Sequence, residues 1–218
     1  MKKLMIGNEA VAAGALDAGV RLISAYPGTP STEITEFAAK SRDLHVEWAP
    51  NEKVAAETAI GAAIGGARAL CAMKHVGLNV AADPLYTAAY TGVRGGMVAV
   101  VADDPGMHSS QNEQDSRCHA IGAHLPMLEP ANSQECYDYT RLAFEISERF
   151  DTPVLIRLTT RIAHSQSLVE TREAEKPEII KYEKQPDKYV MMPVQAKARH
   201  IAVEKRDKGL TFTENRFN

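Results

Sequence analysis

Six short apolar runs, at residues 20–25, 44–48, 69–74, 97–102, 125–128 and 153–158, alternate with stretches of helical character. No other feature of this chain limits its fold so strongly. Strands that alternate with helices build βαβ units, whose right-handed crossovers lay the strands parallel and cover the sheet with helices. Residues 97–102, MVAVVA, hold no polar side chain, as a strand buried on both faces requires. The pattern predicts an α/β domain with about six mostly parallel strands and helices on both faces. Helices are expected at 7–18, 31–40, from Glu52 to about 68, at 80–94, and in a segment ending near Phe150. Asn51 is placed to cap the third of these, and Asn132 with Glu135 forms a capping box for the last. Thr29 is a candidate cap for the second, with Pro30 at its first position.

The pattern stops near residue 170. Beyond it, EAEKPEIIKYEKQPDKY at 173–189 is charged, proline-containing and weakly apolar, which reads as a linker or a strap. The expected organisation is one domain over 1–170 and a charged connector over 171–218, with room for one short helix and leading toward a further domain. At 218 residues the chain suits one sizeable domain with an appendage. Its 25 basic and 28 acidic residues leave a net charge of −3, so neither nucleic acid nor an anionic membrane is expected as a partner. No apolar run nears the ~20 residues of a membrane span, and the opening MKKLMIGNEA is too short in apolar residues for a signal-peptide core. Cys71, Cys118 and Cys136 form no C-x-x-C pair, so these thiols alone build neither a zinc site nor an iron–sulfur cluster. Reduced cysteines in a cytoplasmic protein are expected. His108, His119 and His124 match no metal-ligand spacing.

In an open parallel sheet, ligands sit beyond the carboxyl ends of the strands. Residues 26–31, 50–52 and 74–79 fall there. On spacing alone, Glu52 reads as a first-turn acid, Thr29 as a cap and His75 as a structural histidine. The polar stretch 108–119 has no period and reads as a long surface loop, in which Arg117 is solvated. Functional alternatives for all four stay open at this level. The helix after Glu52 is rich in alanine and carries Gly61 and Gly65, which points to another backbone approaching closely. That backbone belongs either to the domain's own sheet or to a second subunit.

Three motifs bring in a resemblance. YPGTPST at 26–32 resembles the YPITPSS-type turn of pyruvate:ferredoxin oxidoreductases. NEKVAAETAIGAAIGGARA at 51–69 and MKHVGLN at 73–79 resemble the alpha subunit of indolepyruvate:ferredoxin oxidoreductases, in the same order and at similar spacing. YVMMP at 189–193 and ENRFN at 214–218 resemble the connector of that family. The resemblance implies the pyrimidine-binding type of thiamine-diphosphate fold. It implies that Glu52 meets N1′ of the aminopyrimidine ring, where a shared proton favours the imino form that deprotonates C2 of the thiazolium. Tyr26, Pro27, Gly28 and Thr29 would border the cofactor. Thr29, His75 and Arg117 would border the substrate, and an arginine fork suits a carboxylate.

The resemblance also implies partners. The diphosphate end needs magnesium and a Gly-Asp-Gly segment, and no GDG occurs in this sequence. Magnesium and 4Fe-4S clusters are therefore expected in other domains or subunits, with no metal site here. A diphosphate-binding domain or subunit, a beta or gamma subunit, ferredoxin and coenzyme A complete the implied set, within an oligomer. The implied reaction is oxidative decarboxylation of an aryl pyruvate such as indolepyruvate to an acyl-CoA, a step of amino acid catabolism. Two other readings stand beside it. One is the alpha subunit of a split, non-oxidative 2-oxoacid decarboxylase, which needs no connector. The other is a truncated, catalytically idle domain, against which the retained Glu52 and Thr29 argue.

Overall fold

A computed structural model describes residues 1–217, and side chains through residue 210. Strand β1 (Lys2–Ile6) leads into helix α1 (Gly7–Asp17), then β2 (Leu22–Ala25), α2 (Thr32–Ala38) and β3 (His45–Trp48). Next come α3 (Glu52–Ile64), β4 (Ala69–Lys74), α4 (His75–Thr91) and β5 (Met97–Asp103). After a loop follow α5 (Arg117–Ala123), β6 (Met127–Leu128), α6 (Ser133–Phe150), β7 (Val154–Thr159), α7 (Thr160–His164) and β8 (Gln166–Glu170). The tail holds α8 (Pro186–Tyr189) and α9 (Pro193–Phe217).

The six expected strands form one sheet in the order β3-β2-β4-β5-β7-β6, and every pairing in it is parallel. Successive side chains of a strand point to opposite faces, and β5 shows the consequence. Val98, Val100 and Ala102 join a core with α1, α2 and α6, while Met97, Ala99 and Val101 join a second core with α3, α4 and α5. Each fully buried Val, Leu or Met contributes about 1.5–3 kcal/mol, so an unbroken apolar strand is stable only in this sandwiched position. Helix α3 meets the sheet through Ala55, Ala56, Ala59 and Ala63, all buried. Its small-residue face is thus partly explained by its own sheet. Gly61 faces the other way, with nothing within 4 Å of its Cβ position.

Several local expectations need correction. Thr29 does not cap α2, because Ser31 occupies the cap position and the Thr29–Pro30 peptide is cis. Gly28 O instead accepts from both Ser31 N and Ser31 Oγ at 2.8 Å, which closes the turn before the helix starts. Helix α4 begins at His75 rather than at residue 80, since the chain turns straight from strand to helix at an extended Lys74. The helix after Glu52 ends at Ile64, where Gly65 caps it and Gly66 takes a positive φ of 99°. The polar stretch closes into α5 from Arg117 onward.

The chain ends hold two features that the apolar pattern does not announce. β1 pairs antiparallel with β8 in a separate two-stranded ribbon. The tail carries a 25-residue helix, α9, rather than one short helix. This helix has no continuous apolar stripe and docks on α4 largely through polar contacts: Arg199 Nε donates to Tyr90 O at 2.6 Å, and Arg206 donates to Ala89 O at 3.0 Å. Of the tail motif at 214–218, Asn218 and all the side chains lie outside the described residues.

Candidate functional site

Parallel strands aim all their carboxyl ends at one edge, and the chain turns there into loops and helix starts. After β3, Asn51 caps α3 by accepting from Val54 N at 3.0 Å, as its place in the sequence predicts. Glu52 is then the first residue of the helix and only 8% exposed. Its carboxylate has no hydrogen-bond or ion-pair partner among the described residues. Neither of its oxygens is among the buried side-chain atoms that lack a partner, so the carboxylate is still open to an incoming donor. The side chain lies against Gly77 in the first turn of α4, where a Cβ would come 2.5 Å from Oε1.

After β2, Tyr26, Pro27 and Thr29 are exposed and Gly28 is half-buried against the stem of Lys74. Gly28 N donates to Thr32 Oγ1 at 3.0 Å. Asn8, at the start of α1, holds the turn from below by donating to Pro30 O and Glu33 Oε2, each at 2.8 Å. Sequence reasoning missed Asn8. The G-N-E opening of α1 carried no recognisable spacing to the turn some twenty residues later.

After β4, His75 is 1% exposed, with Nε2 3.0 Å from Asn112 O. A carbonyl only accepts, so Nε2 donates, and Nδ1 has no partner among the described residues. Lys74 Nζ donates to Ser109 O at 2.8 Å, and Asn79 Nδ2 donates to Gln114 Oε1 at 3.0 Å. Three side chains from β4 and α4 thus stitch the loop 104–116 over the sheet edge.

The two buried acids at the end of β5 hold the ends of that loop. Asp104 accepts from His108 N, Ser109 N, Ser110 Oγ and Thr160 Oγ1. Burial opposes its charge, but these donors outweigh burial and hold the Asp104 carboxyl well below the usual range. Asp103 accepts from Ser116 N, from the Ser116 hydroxyl and from Arg157 Nε at 2.6 Å.

Arg117 is committed elsewhere. Its guanidinium grips Glu129 at 2.5 and 2.8 Å and meets Asp115 at 3.2 Å. Arg157 also reaches Glu129 at 3.0 Å. The Arg117 contact, followed by those of Arg157, holds the Glu129 carboxyl below its ordinary value against partial burial. The structure therefore brings together Glu52, the 26–29 turn, Lys74 and His75 through the Gly28–Lys74 and Gly77–Glu52 contacts. It places Arg117 in an ion network on the β6–β7 side. No group of three or more potential metal ligands occurs among the described residues.

The chain is similar to known proteins over most of its length. A family model described as "Pyruvate flavodoxin/ferredoxin oxidoreductase, thiamine diP-bdg" matches residues 13–217. The indolepyruvate oxidoreductase subunit IorA of Archaeoglobus fulgidus is 46% identical over 217 residues, covering 95% of this chain and 35% of that protein. The IorA of Methanothermobacter marburgensis is 48% identical over 210 residues, covering 94% of this chain and 34% of that protein. The 2-oxoglutarate synthase subunit KorA of the same organism is 30% identical over 173 residues, covering 75% and 46%. The chain thus spans about a third of the length of the IorA relatives. Among solved structures, the 2-oxoglutarate:ferredoxin oxidoreductase of Magnetococcus marinus shares the fold, with a TM-score of 0.79 at 19% identity, over 96% of this chain and 45% of that one.

Proposed function

This chain belongs to the thiamine-diphosphate-binding family of pyruvate flavodoxin/ferredoxin oxidoreductases, and from that premise we propose that it forms the aminopyrimidine half of a cofactor site in a 2-oxoacid:ferredoxin oxidoreductase. The 2-oxoacid is an aryl pyruvate such as indolepyruvate, in keeping with the IorA relatives. The observation that carries this reading is the carboxylate of Glu52, on a residue only 8% exposed, cradled over Gly77 and without a partner among the described residues. An aminopyrimidine ring offers that carboxyl group a ring nitrogen with which to share a proton, so the residues present fit the cofactor. When bound, the cofactor supplies a thiazolium that takes up the electrons left as a 2-oxoacid loses carbon dioxide.

Each residue of the edge has a part in this reading. Glu52 holds a proton against N1′. Tyr26, Pro27, Gly28 and Thr29 border the ring, and the exposed hydroxyl of Thr29 also faces the substrate. His75 and the loop stitched to it close the substrate side and exclude water. Arg117 meets a substrate carboxylate only by exchanging Glu129 for it. Magnesium, iron–sulfur clusters, the diphosphate-binding half, coenzyme A and ferredoxin belong to other domains or subunits of a cytoplasmic oligomer that serves amino acid catabolism. The tail beyond residue 170 is the connector toward them. No described helix is long and apolar enough to cross a membrane.

The test is Glu52→Gln in the assembly with the diphosphate-binding partner. The amide keeps the size but not the acidic proton. Hydrogen–deuterium exchange at C2 of the bound cofactor is expected to slow by ~10²–10⁴-fold, the scale of one general acid–base contribution. Exposed Glu57, further along α3, is the control, and Glu57→Gln should exchange at the parent rate. Parent-rate exchange in Glu52→Gln refutes the assignment of the carboxylate.

A further inference from the structure

Gly77 is a glycine for a reason that its own helix does not supply. It sits in the first turn of α4 with ordinary helical backbone, where glycine is a poor choice beside alanine. A Cβ placed on it would lie 2.5 Å from Oε1, 2.6 Å from Cγ and 2.8 Å from Cδ of Glu52. Real Cβ atoms essentially never come that close to another heavy atom. Its nearest contacts therefore all belong to one side chain, carried by a different helix. That side chain is the one whose carboxylate has no partner among the described residues.

Resting on the reading of Glu52 given above, we propose that Gly77 is a positioning residue, whose missing methyl group forms the cradle that sets the Glu52 carboxyl against the cofactor's ring nitrogen. An alanine at this position leaves α4 able to form. What must yield is the flexible end of Glu52, which moves to another rotamer more easily than either packed helix shifts. A glycine serving only the packing of α3 on α4 behaves in the opposite way. Its replacement lowers stability and leaves recognition of the ring nitrogen alone. The two roles therefore separate in two independent readouts, and neither needs turnover.

The experiment uses the assembly of this chain with its diphosphate-binding partner. Calorimetric titration compares thiamine diphosphate, with magnesium, against the analogue in which N1′ is replaced by carbon. The parent protein is expected to prefer the natural cofactor by about tenfold or more, the scale of one hydrogen bond to a charged group. Gly77→Ala should cut that preference at least about fivefold, most of the same contact, while the melting temperature of the cofactor-free assembly stays level or rises. Glu52→Ala should abolish the preference. Adding Gly77→Ala to Glu52→Ala should then change nothing further, because the clashing partner is gone. If Glu52→Ala keeps the parent preference, the assignment of Glu52 fails and the proposal falls with it. If Glu52→Ala abolishes the preference and Gly77→Ala retains it, only the role of Gly77 is overturned. A Gly77→Ala protein that no longer assembles overturns it too. So does a Gly77→Ala effect that persists in the Glu52→Ala background, since either result assigns the glycine to helix packing.

Discussion

At the amino-terminal edge of the sheet, Arg68 donates to Glu148 at 2.8 and 2.9 Å, to Glu175 at 2.8 Å and to Ala18 O at 2.7 Å. At the carboxyl edge, Glu52 is just as deeply placed and has no such partner among the described residues. The contrast extends beyond these two residues. The tail from residue 171 belts the amino edge. Glu175 N donates to Asp17 O at 2.7 Å, Ile180 N donates to Gly66 O at 3.0 Å, and Glu175 also accepts from Arg141 at 2.6 Å. Further along, Lys188 and Arg199 converge on Asp151, and Arg94 pairs with Glu183. The carboxyl edge divides in two. Its β6–β7 half is closed by the network of Asp103, Arg157, Glu129 and Arg117, whereas in its β2–β4 half neither the Glu52 carboxylate nor Nδ1 of His75 has a partner among the described residues. The amino edge is closed by its ion pairs and by the strap, although Arg94 Nε and Thr152 Oγ1 are buried there without a hydrogen-bond partner. What sets the β2–β4 half apart is a carboxylate, that of Glu52, with no hydrogen-bond or ion-pair partner among the described residues.

The largest expected effect tests the closed edge. Arg68→Ala leaves Glu148 and Glu175 without their shared cation and frees the strap, at a cost of about 2–3 kcal/mol, at the low end for breaking a buried pair because both carboxylates are partly exposed. Denaturant titration measures it, and a loss under about 1 kcal/mol would reduce the strap to a surface ornament. Asp104→Asn probes the anchor of the loop. At neutral pH it should cost about 1–2 kcal/mol, since four donors lose their charged acceptor. The Asp104 carboxyl lies below its ordinary value when folded, so this contribution is present above the unfolded value of about 4 and is lost as pH falls toward the folded one. The gap between parent and variant should therefore narrow below about pH 4. A constant gap would mean that the charge of Asp104 is irrelevant. The smallest effect belongs to the open edge. Glu52→Gln should change stability by no more than about 0.5 kcal/mol, or raise it, because no contact within the fold is lost. A loss above about 1 kcal/mol would show that the fold itself uses this carboxylate and would erase the contrast.

What could be read beforehand was local in sequence. Asn51 and Asn132 cap their helices as expected, because a cap joins atoms three residues apart. The cis turn at Thr29–Pro30 escaped the same reasoning, since a proline after threonine fits a helix start equally well. The pattern starts this helix at residue 80, whereas α4 starts at His75, because His75 and Gly77 are buried by partners distant in the chain. The resemblance puts Arg117 beside the substrate. Its grip on Glu129 depends on how α5 lies against the end of β6, which no spacing encodes.

The sequence by itself determined the six parallel strands and the two helical layers, and with them the carboxyl edge as the expected place for a ligand, because burial periodicity and capping act within a few residues. Only the tertiary structure decided that β1 pairs with β8, that the tail belts the amino edge, and that Gly77 makes room for Glu52. Each of these joins residues far apart in the chain, where a missing methyl group or a salt bridge has meaning only once the opposing surface is in place.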